Sequence, residues 1–180
     1  GHAAPRHTAW HQEHYAPSSP QQYWGTDSRD QWLDQLAAQN VGVDVWSIHV
    51  YPKEDVCFFG KPCATDIEVI TAAAGRAQAS GAMLFVGEYG GPSPNFTGPT
   101  IASQQFPSDV IAAQVRDAKQ GGAFQVSAIW AWACPAHRRD MRCIWPGSTR
   151  PGEEGSDRML KILQDGDAQL RDIMRRTTHK

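Results

Sequence analysis

The segment that decides the fold is Met83-Leu-Phe-Val-Gly-Glu-Tyr89. Two glycines and a proline, Gly90-Gly-Pro92, follow this segment and end it. Its apolar and aromatic residues favour a strand that is largely buried. An Ala-rich segment precedes it. That segment opens with the capping box Thr65-Asp-Ile-Glu68 and reaches Gly81, a residue typical of helix ends. The pattern predicts a helix followed by a strand.

The same alternation continues on both sides of this unit. Two further strands are predicted, Val43–Tyr51 and Phe124–Ala133. Three further helices are predicted: Ser28–Gln39, with Thr26, Asp27 or Ser28 as its cap, a segment that Ser108 caps and that ends at Gly121, and Ser156–Arg176. Strands separated by helices are typical of a parallel sheet with right-handed crossovers. The sequence therefore predicts an α/β fold in one domain spanning residues 1–180, with about three parallel strands, flanking helices and a long loop over residues 1–25.

Charge and hydropathy exclude several classes of partner. The net charge is −2 at neutral pH, so nothing attracts the chain to nucleic acid. The longest apolar run, from Val126 to Cys134, is far too short to cross a bilayer, and no membrane association is expected.

A cluster of His7, His11, Glu13 and His14 lacks metal-ligand spacing. We interpret that cluster as a loop, and neither a metal nor a cofactor is expected.

Four cysteines lie in two local pairs, Cys57 with Cys63 and Cys134 with Cys143. Pairs that close short loops favour two disulfides and therefore a secreted or extracytoplasmic protein. Four free thiols are the alternative, because spacing does not fix pairing.

Polar and aromatic residues gather toward the ends of the three strands. Since side chains alternate along a strand, three inward-facing sets are predicted: Ser47, His49 and Tyr51; Leu84, Val86 and Glu88; Ala128, Trp130 and Trp132. His49, Glu88 and Trp132 recur at intervals of 88 − 49 = 39 and 132 − 88 = 44 residues, which is the spacing of strands in a parallel barrel, and the carboxyl ends of barrel strands hold the active site. A carboxylate beside an imidazole, a phenol and indoles suits sugar chemistry.

Three motifs resemble strands six, seven and eight of family 5-type glycoside hydrolases, which are cellulase-like retaining enzymes. They are Ser47-Ile-His-Val-Tyr-Pro52, Phe85-Val-Gly-Glu-Tyr-Gly90 and Ile129-Trp-Ala-Trp132. The resemblance implies the C-terminal part of a (β/α)8 barrel, with residues 1–25 following a missing strand five.

The resemblance also implies roles for individual residues. Glu88 would be the nucleophile, and His49 and Tyr51 would hydrogen-bond to it. Trp132 would form the aromatic platform beneath the sugar, and Trp130 is the less favoured choice for that role. The family's acid/base glutamate lies in an Asn-Glu-Pro motif, and this sequence contains none. We therefore expect a protein related to enzymes acting on β-linked glycans by the retaining mechanism, with only the nucleophile half of the site.

Two alternatives follow from the missing strands: a catalytically inactive carbohydrate-binding protein, or a self-assembling half-barrel. A three-stranded sheet covered on one side would leave its inner face and edges exposed. We expect a homo-oligomer, most simply a twofold dimer, to cover that face. The other arrangement is that residues 1–25 fold back over it as a plug.

Overall fold

The computed structural model describes residues 2–3, 28–50, 64–89, 101–129 and 156–178, and its side chains over 28–50, 64–89, 107–129 and 157–176. In chain order the elements are β1 His2–Ala3, α1 Arg29–Gln39, β2 Val45–Val50, α2 Asp66–Ala79, β3 Met83–Tyr89, α3 Ile101–Lys119, β4 Phe124–Ile129 and α4 Ser156–Thr178. All pairings are parallel, in the order β1-β2-β3-β4. The predicted fold class, a partial (β/α)8 barrel with flanking helices, is confirmed.

The predicted helix starts at Ser28 and Thr65 are both present. The Thr65 hydroxyl accepts a hydrogen bond from the Glu68 amide, and the Glu68 carboxylate accepts one from the Thr65 amide. Ser28 and Gln31 form the same reciprocal pair at the start of α1. These side chains satisfy amides that the first turn of a helix leaves without partners, which is why short polar residues fix both helix starts.

Two boundaries differ from the sequence-based expectation. His2 and Ala3 form a short strand beside Ile48 and His49, where a loop was expected. Pairing across the sheet defines this strand, because two residues show no periodicity of their own. The third helix begins at Ile101 rather than after Ser108, and it continues through Pro107. A proline usually ends a helix but is tolerated inside one at a cost.

The core lies between the sheet and the helix layer. The buried residues of β2, β3 and β4 form one apolar cluster with α1, α2 and α3, and its largest fully buried side chains include Trp32, Leu36, Ile70, Leu84 and Phe124. Helix α4 packs on α3, where Ile111 contacts Gly166. No helix within the described ranges combines the length and the apolar character needed to cross a membrane. Among the described elements, no helix covers the opposite side of the sheet, which we call the open face.

Candidate functional site

Strand β2 alternates as predicted. Trp46, Ile48 and Val50 are buried against the helix layer, whereas Ser47 and His49 are half-buried on the open face. The exposed side chain of Val45 begins the same open-face row. His49 therefore lies near the carboxyl end of β2, on the side where a barrel keeps its active site.

The inward-facing set predicted for β3 is wrong in part. Leu84 and Val86 are 0 % exposed and pack in the core, beside Trp46 and Ile48 of β2. Simple alternation would then turn Glu88 toward the helices as well. The prediction assumed that side chains alternate without interruption along β3. This assumption is wrong, because the register of β3 against β2 shifts within the strand.

A β-bulge at Gly87 returns Glu88 to the open face. Ile48 pairs with Val86, but the next residue, His49, pairs with Glu88, so β3 contains one more residue than β2 at this point. An extra residue shifts the phase of all side chains that follow it. Glu88 then shares a face with His49, and Tyr89 turns into the core.

His49 and Glu88 are in direct contact across the two strands. The imidazole Nδ1 lies 3.3 Å from Oε2 of the carboxylate, and the two side chains are 35 % and 30 % exposed. When the imidazole is protonated this contact is an ion pair, weakened by the solvent that reaches both groups. The geometry fixes one oxygen of Glu88 beside a nitrogen and leaves the pair accessible from the open face.

Gly87 lies close to the side chains of Ser47 and His49. A Cβ at position 87 would lie 2.8 Å from Ser47 Oγ and 3.0 Å from His49 Nε2, closer than real Cβ atoms are normally found. The sequence offered a signal that was not used, since a glycine inside a strand often marks a bulge or a close approach. Gly87 belongs to the site although it carries no reactive group.

Tyr89, the residue that follows Glu88, is buried on the opposite face of β3 and holds the end of this strand in place. It is 1 % exposed, and burial raises the pKa of Tyr89 to about 12, an effect that a hydrogen bond with Ser127 partly offsets. Ser127 donates to Gln114 Oε1 at 2.7 Å, and Gln114 Nε2 donates to the Gln125 carbonyl at 2.7 Å. This buried polar network ties β3, β4 and α3 together. In the sequence, only Gln114, a polar residue on the apolar face of a predicted helix, indicated this network.

Several predicted residues lie outside the described ranges: Tyr51, Trp130, Trp132, the cysteines 57, 63, 134 and 143, and the cluster of His7, His11, Glu13 and His14. Ala128, predicted to face inward, lies between Ser127 and Ile129, which both face the helix layer, and so belongs to the open face. Within the side chains that the structure describes, no three His, Cys, Asp or Glu residues converge as a metal site.

A separate groove of about 510 Å³ lies at the opposite, amino-terminal end of β2. The segment that joins α1 to β2 lines it, together with Asp34 and Arg76. These two side chains form an ion pair of 2.9 Å between α1 and α2. Since the amino-terminal face of such barrels usually serves stability, this groove is distinct from the site at His49 and Glu88.

Comparison with known proteins supports the fold. No protein-family profile matches the chain, and no match was found among curated proteins. Among solved structures, a variant of the glycoside hydrolase family 5 mannosidase from Rhizomucor miehei is similar, with a TM-score of 0.55 and 14 % sequence identity. The match covers 80 % of this chain and 42 % of the mannosidase chain. At this identity the likeness shows a shared fold.

Proposed function

We propose that this chain carries the nucleophile half of a retaining glycoside hydrolase site for β-linked glycans, with Glu88 as the nucleophile. The observation that carries the proposal is the 3.3 Å contact between His49 and Glu88 on the open face. It lies near the carboxyl ends of adjacent parallel strands, where barrel enzymes hold their catalytic groups. The similarity in fold to a family 5 mannosidase supports a glycoside hydrolase-like origin.

The proposed reaction starts at the Glu88 carboxylate. One oxygen forms a bond to the anomeric carbon of the sugar while the bond from that carbon to the leaving oxygen breaks, and the electron pair departs with that oxygen. Water then hydrolyses the glycosyl ester. His49 orients the carboxylate and, when Nδ1 carries a proton, stabilises its charge. Tyr51 as a second donor, and Trp132 or Trp130 as the sugar platform, remain proposals that rest on the sequence motifs.

A retaining site also needs a second carboxyl group, which the described strands do not supply. Retention requires two carboxyl groups about 5–5.5 Å apart, one of which protonates the leaving oxygen. Glu88 is the one carboxylate in the sequences of β2, β3 and β4. Loss of general acid catalysis alone costs about 10²–10⁴-fold in rate. We therefore expect little hydrolysis of natural glycans and better reaction with glycosides whose leaving group needs no proton.

A 2,4-dinitrophenyl 2-deoxy-2-fluoro-β-glycoside, in the glucose and mannose forms, tests the nucleophile. Dinitrophenolate departs without an acid, and the fluorine slows hydrolysis of the glycosyl ester, so the covalent adduct accumulates. We expect a burst of dinitrophenolate, an intact mass raised by one fluoroglycosyl group, and peptide mapping that assigns it to Glu88. Labelling at another residue, or no labelling of the folded chain by either sugar, would contradict the proposal.

Two matched Glu→Gln variants control this experiment. Glu88→Gln keeps the shape of the side chain but removes its charge, so neither burst nor adduct is expected. Glu68→Gln makes the same change in the capping box at the start of α2, where glutamine also serves. That variant should label at the wild-type rate, which separates loss of the nucleophile from loss of the fold.

The second candidate function is self-assembly without catalysis, and the exposed open face favours it. Val45, Met83 and Val126 on this face are 41 %, 38 % and 50 % exposed, and β4 is an edge strand within the described sheet. Val45 was expected to be exposed on this face and is, whereas Leu84 and Val86, which were also expected there, are buried. We propose that a second copy of the chain covers this face, as a twofold dimer.

Light scattering at micromolar protein tests the dimer. We expect twice the 19.8 kDa chain mass for the wild type and the monomer mass for Val126→Lys, because a charge inside the interface opposes packing. Val41 is 81 % exposed and lies in the turn before β2, so Val41→Lys is the matched control and should remain dimeric. A monomeric wild type would contradict the dimer and favour residues 1–25 as the cover.

Secretion is proposed from the cysteines alone. If the chain is extracytoplasmic, Cys57 pairs with Cys63 and Cys134 with Cys143. Non-reducing peptide mapping of protein from an oxidising compartment should recover these two linked peptide pairs. Four free thiols, or a linkage between the two pairs, would contradict both the pairing and the inference of secretion.

A further inference from the structure

We propose that Gly87 is a positioning residue of the site: its missing side chain lets the His49 imidazole lie over the bulge and meet Glu88. The catalytic meaning of this inference rests on the proposed function of Glu88. The geometric claim does not, because the placement of His49 can be measured without any reaction. Gly87 would thus act through its neighbours rather than on substrate.

The first support is the register of the two strands. Between the pairs Ile48–Val86 and His49–Glu88, β3 gains one residue, and Gly87 is that residue. Without it, Glu88 would follow Leu84 and Val86 into the core, where both are 0 % exposed. Burial of an unpaired carboxylate among apolar side chains is strongly unfavourable. The bulge therefore brings the carboxylate to the open face.

The second support is the space above Gly87. A Cβ there would lie 3.0 Å from Nε2 and 3.2 Å from Cδ2 of His49, and 2.8 Å from Ser47 Oγ. The serine hydroxyl could rotate away. The imidazole ring can move only by leaving its contact with Glu88, because its other side holds Nδ1 at 3.3 Å from that carboxylate. An added methyl group would therefore press the ring against Glu88, and turning the ring to relieve the overlap would break the contact.

The third support is that the backbone of β3 has little freedom to relieve such a clash. Tyr89 is 1 % exposed, and its hydroxyl is hydrogen-bonded to Ser127. Ser127 in turn donates to the buried Gln114 of α3. With the strand held two residues after Gly87, the movable group is the His49 side chain. Gly87 precedes Glu88 and leaves space for the His49 ring, and Tyr89 follows Glu88 and holds the strand in the core. Together these two residues determine where Glu88 and His49 make contact.

Nuclear magnetic resonance of the full chain tests the placement directly. In the wild type we expect a nuclear Overhauser effect between a Gly87 Hα and the His49 Hδ2, since the ring edge faces the Gly87 Cα. We also expect the His49 ring nitrogen resonances, assigned through His49→Gln, to move in Glu88→Gln. Absence of the Overhauser effect in the folded wild type would overturn the proposal, whether or not any variant folds.

Gly87→Ala supplies the second readout. We expect its His49 nitrogen resonances to move toward the Glu88→Gln positions, and little further change when the two substitutions are combined. Gly75→Ala is the matched control, because a Cβ at Gly75 in α2 meets nothing within 4 Å. Its His49 resonances should match the wild type. A folded Gly87→Ala protein with wild-type His49 resonances would also overturn the proposal.

The two proposals fail separately. If the fluoroglycoside does not label Glu88 but His49 responds to Gly87→Ala, the proposed function fails and the positioning role stands. If Glu88 is labelled and the rate is equal in the wild type and Gly87→Ala, with no change at His49, the positioning role fails and the nucleophile stands. If both hold, labelling of Gly87→Ala should be slower by up to about a hundredfold, because His49, which orients the nucleophile, is displaced.

Discussion

The two faces of the sheet differ in what their residues do. On the face toward the helices, Leu84, Val86 and Ile48 are fully buried, and the polar groups present there, such as Gln114, are hydrogen-bonded. On the open face, His49 and Glu88 are only partly covered. The comparison shows that the single strand β3 contributes to both faces. Its apolar side chains stabilise the core, and its bulge places the Glu88 carboxylate on the solvent-accessible face.

The largest expected effect comes from truncating the buried face. Leu84→Ala should lower the free energy of unfolding by about 2–5 kcal/mol, because it removes buried methyl groups and leaves a cavity. In dilute, monomeric protein, Val126→Ala on the open face should change it by no more than about 0.5 kcal/mol, since Val126 is 50 % exposed in the single chain. Urea titrations of the two variants measure the difference. Equal losses would mean that the open face is also a packed core, covered by another part of the protein.

The next effect concerns Tyr89 and alkaline pH. Burial raises the pKa of Tyr89 from 10.0 to about 12, so the unfolded chain loses this proton at lower pH than the folded chain. Stability from this group is complete below pH 10 and should fall by roughly 1.4 kcal/mol per pH unit until about pH 12.

Tyr89→Phe should remove that pH dependence. It should also cost about 0.5–1.5 kcal/mol at neutral pH, because the hydrogen bond with Ser127 is lost while Ser127 keeps its bond to Gln114. Unfolding free energies of both proteins at pH 8 to 12 test this. Identical slopes above pH 10 would place the tyrosine hydroxyl in solvent and remove the anchor behind Glu88.

The smallest effect lies in the helix layer that supports the buried face. Thr65→Ala should cost about 1 kcal/mol, since it removes the hydroxyl that accepts from the Glu68 amide. Thr71→Ala is the matched control, because Thr71 lies inside α2 and bonds only the Ile67 carbonyl. Alanine is favoured at such a position, so that variant should be neutral or slightly more stable. Thermal unfolding followed by circular dichroism compares the two.

Much of the architecture was predictable from local chemistry. The alternation of strands and helices, the capping residues Ser28 and Thr65, and the burial of Trp46, Ile48 and Val50 all follow from patterns within a few residues of one another. Such patterns reflect side-chain periodicity and unsatisfied amides, which depend on near neighbours. Glu88 could also be picked out, because a carboxylate inside an apolar strand is unusual, and His49 could be picked out through its expected proximity to Glu88.

The orientation of those residues depended on pairing between strands. Leu84 and Val86 were expected beside Glu88, yet they face the helices, because the extra residue at Gly87 exists only relative to β2. The strand at His2–Ala3 and the network of Tyr89, Ser127 and Gln114 likewise join distant parts of the chain. The sequence alone thus supplied the fold class and the candidate site residues His49 and Glu88. Tertiary pairing supplied their geometry, because register is a relation between two strands and neither strand encodes it alone.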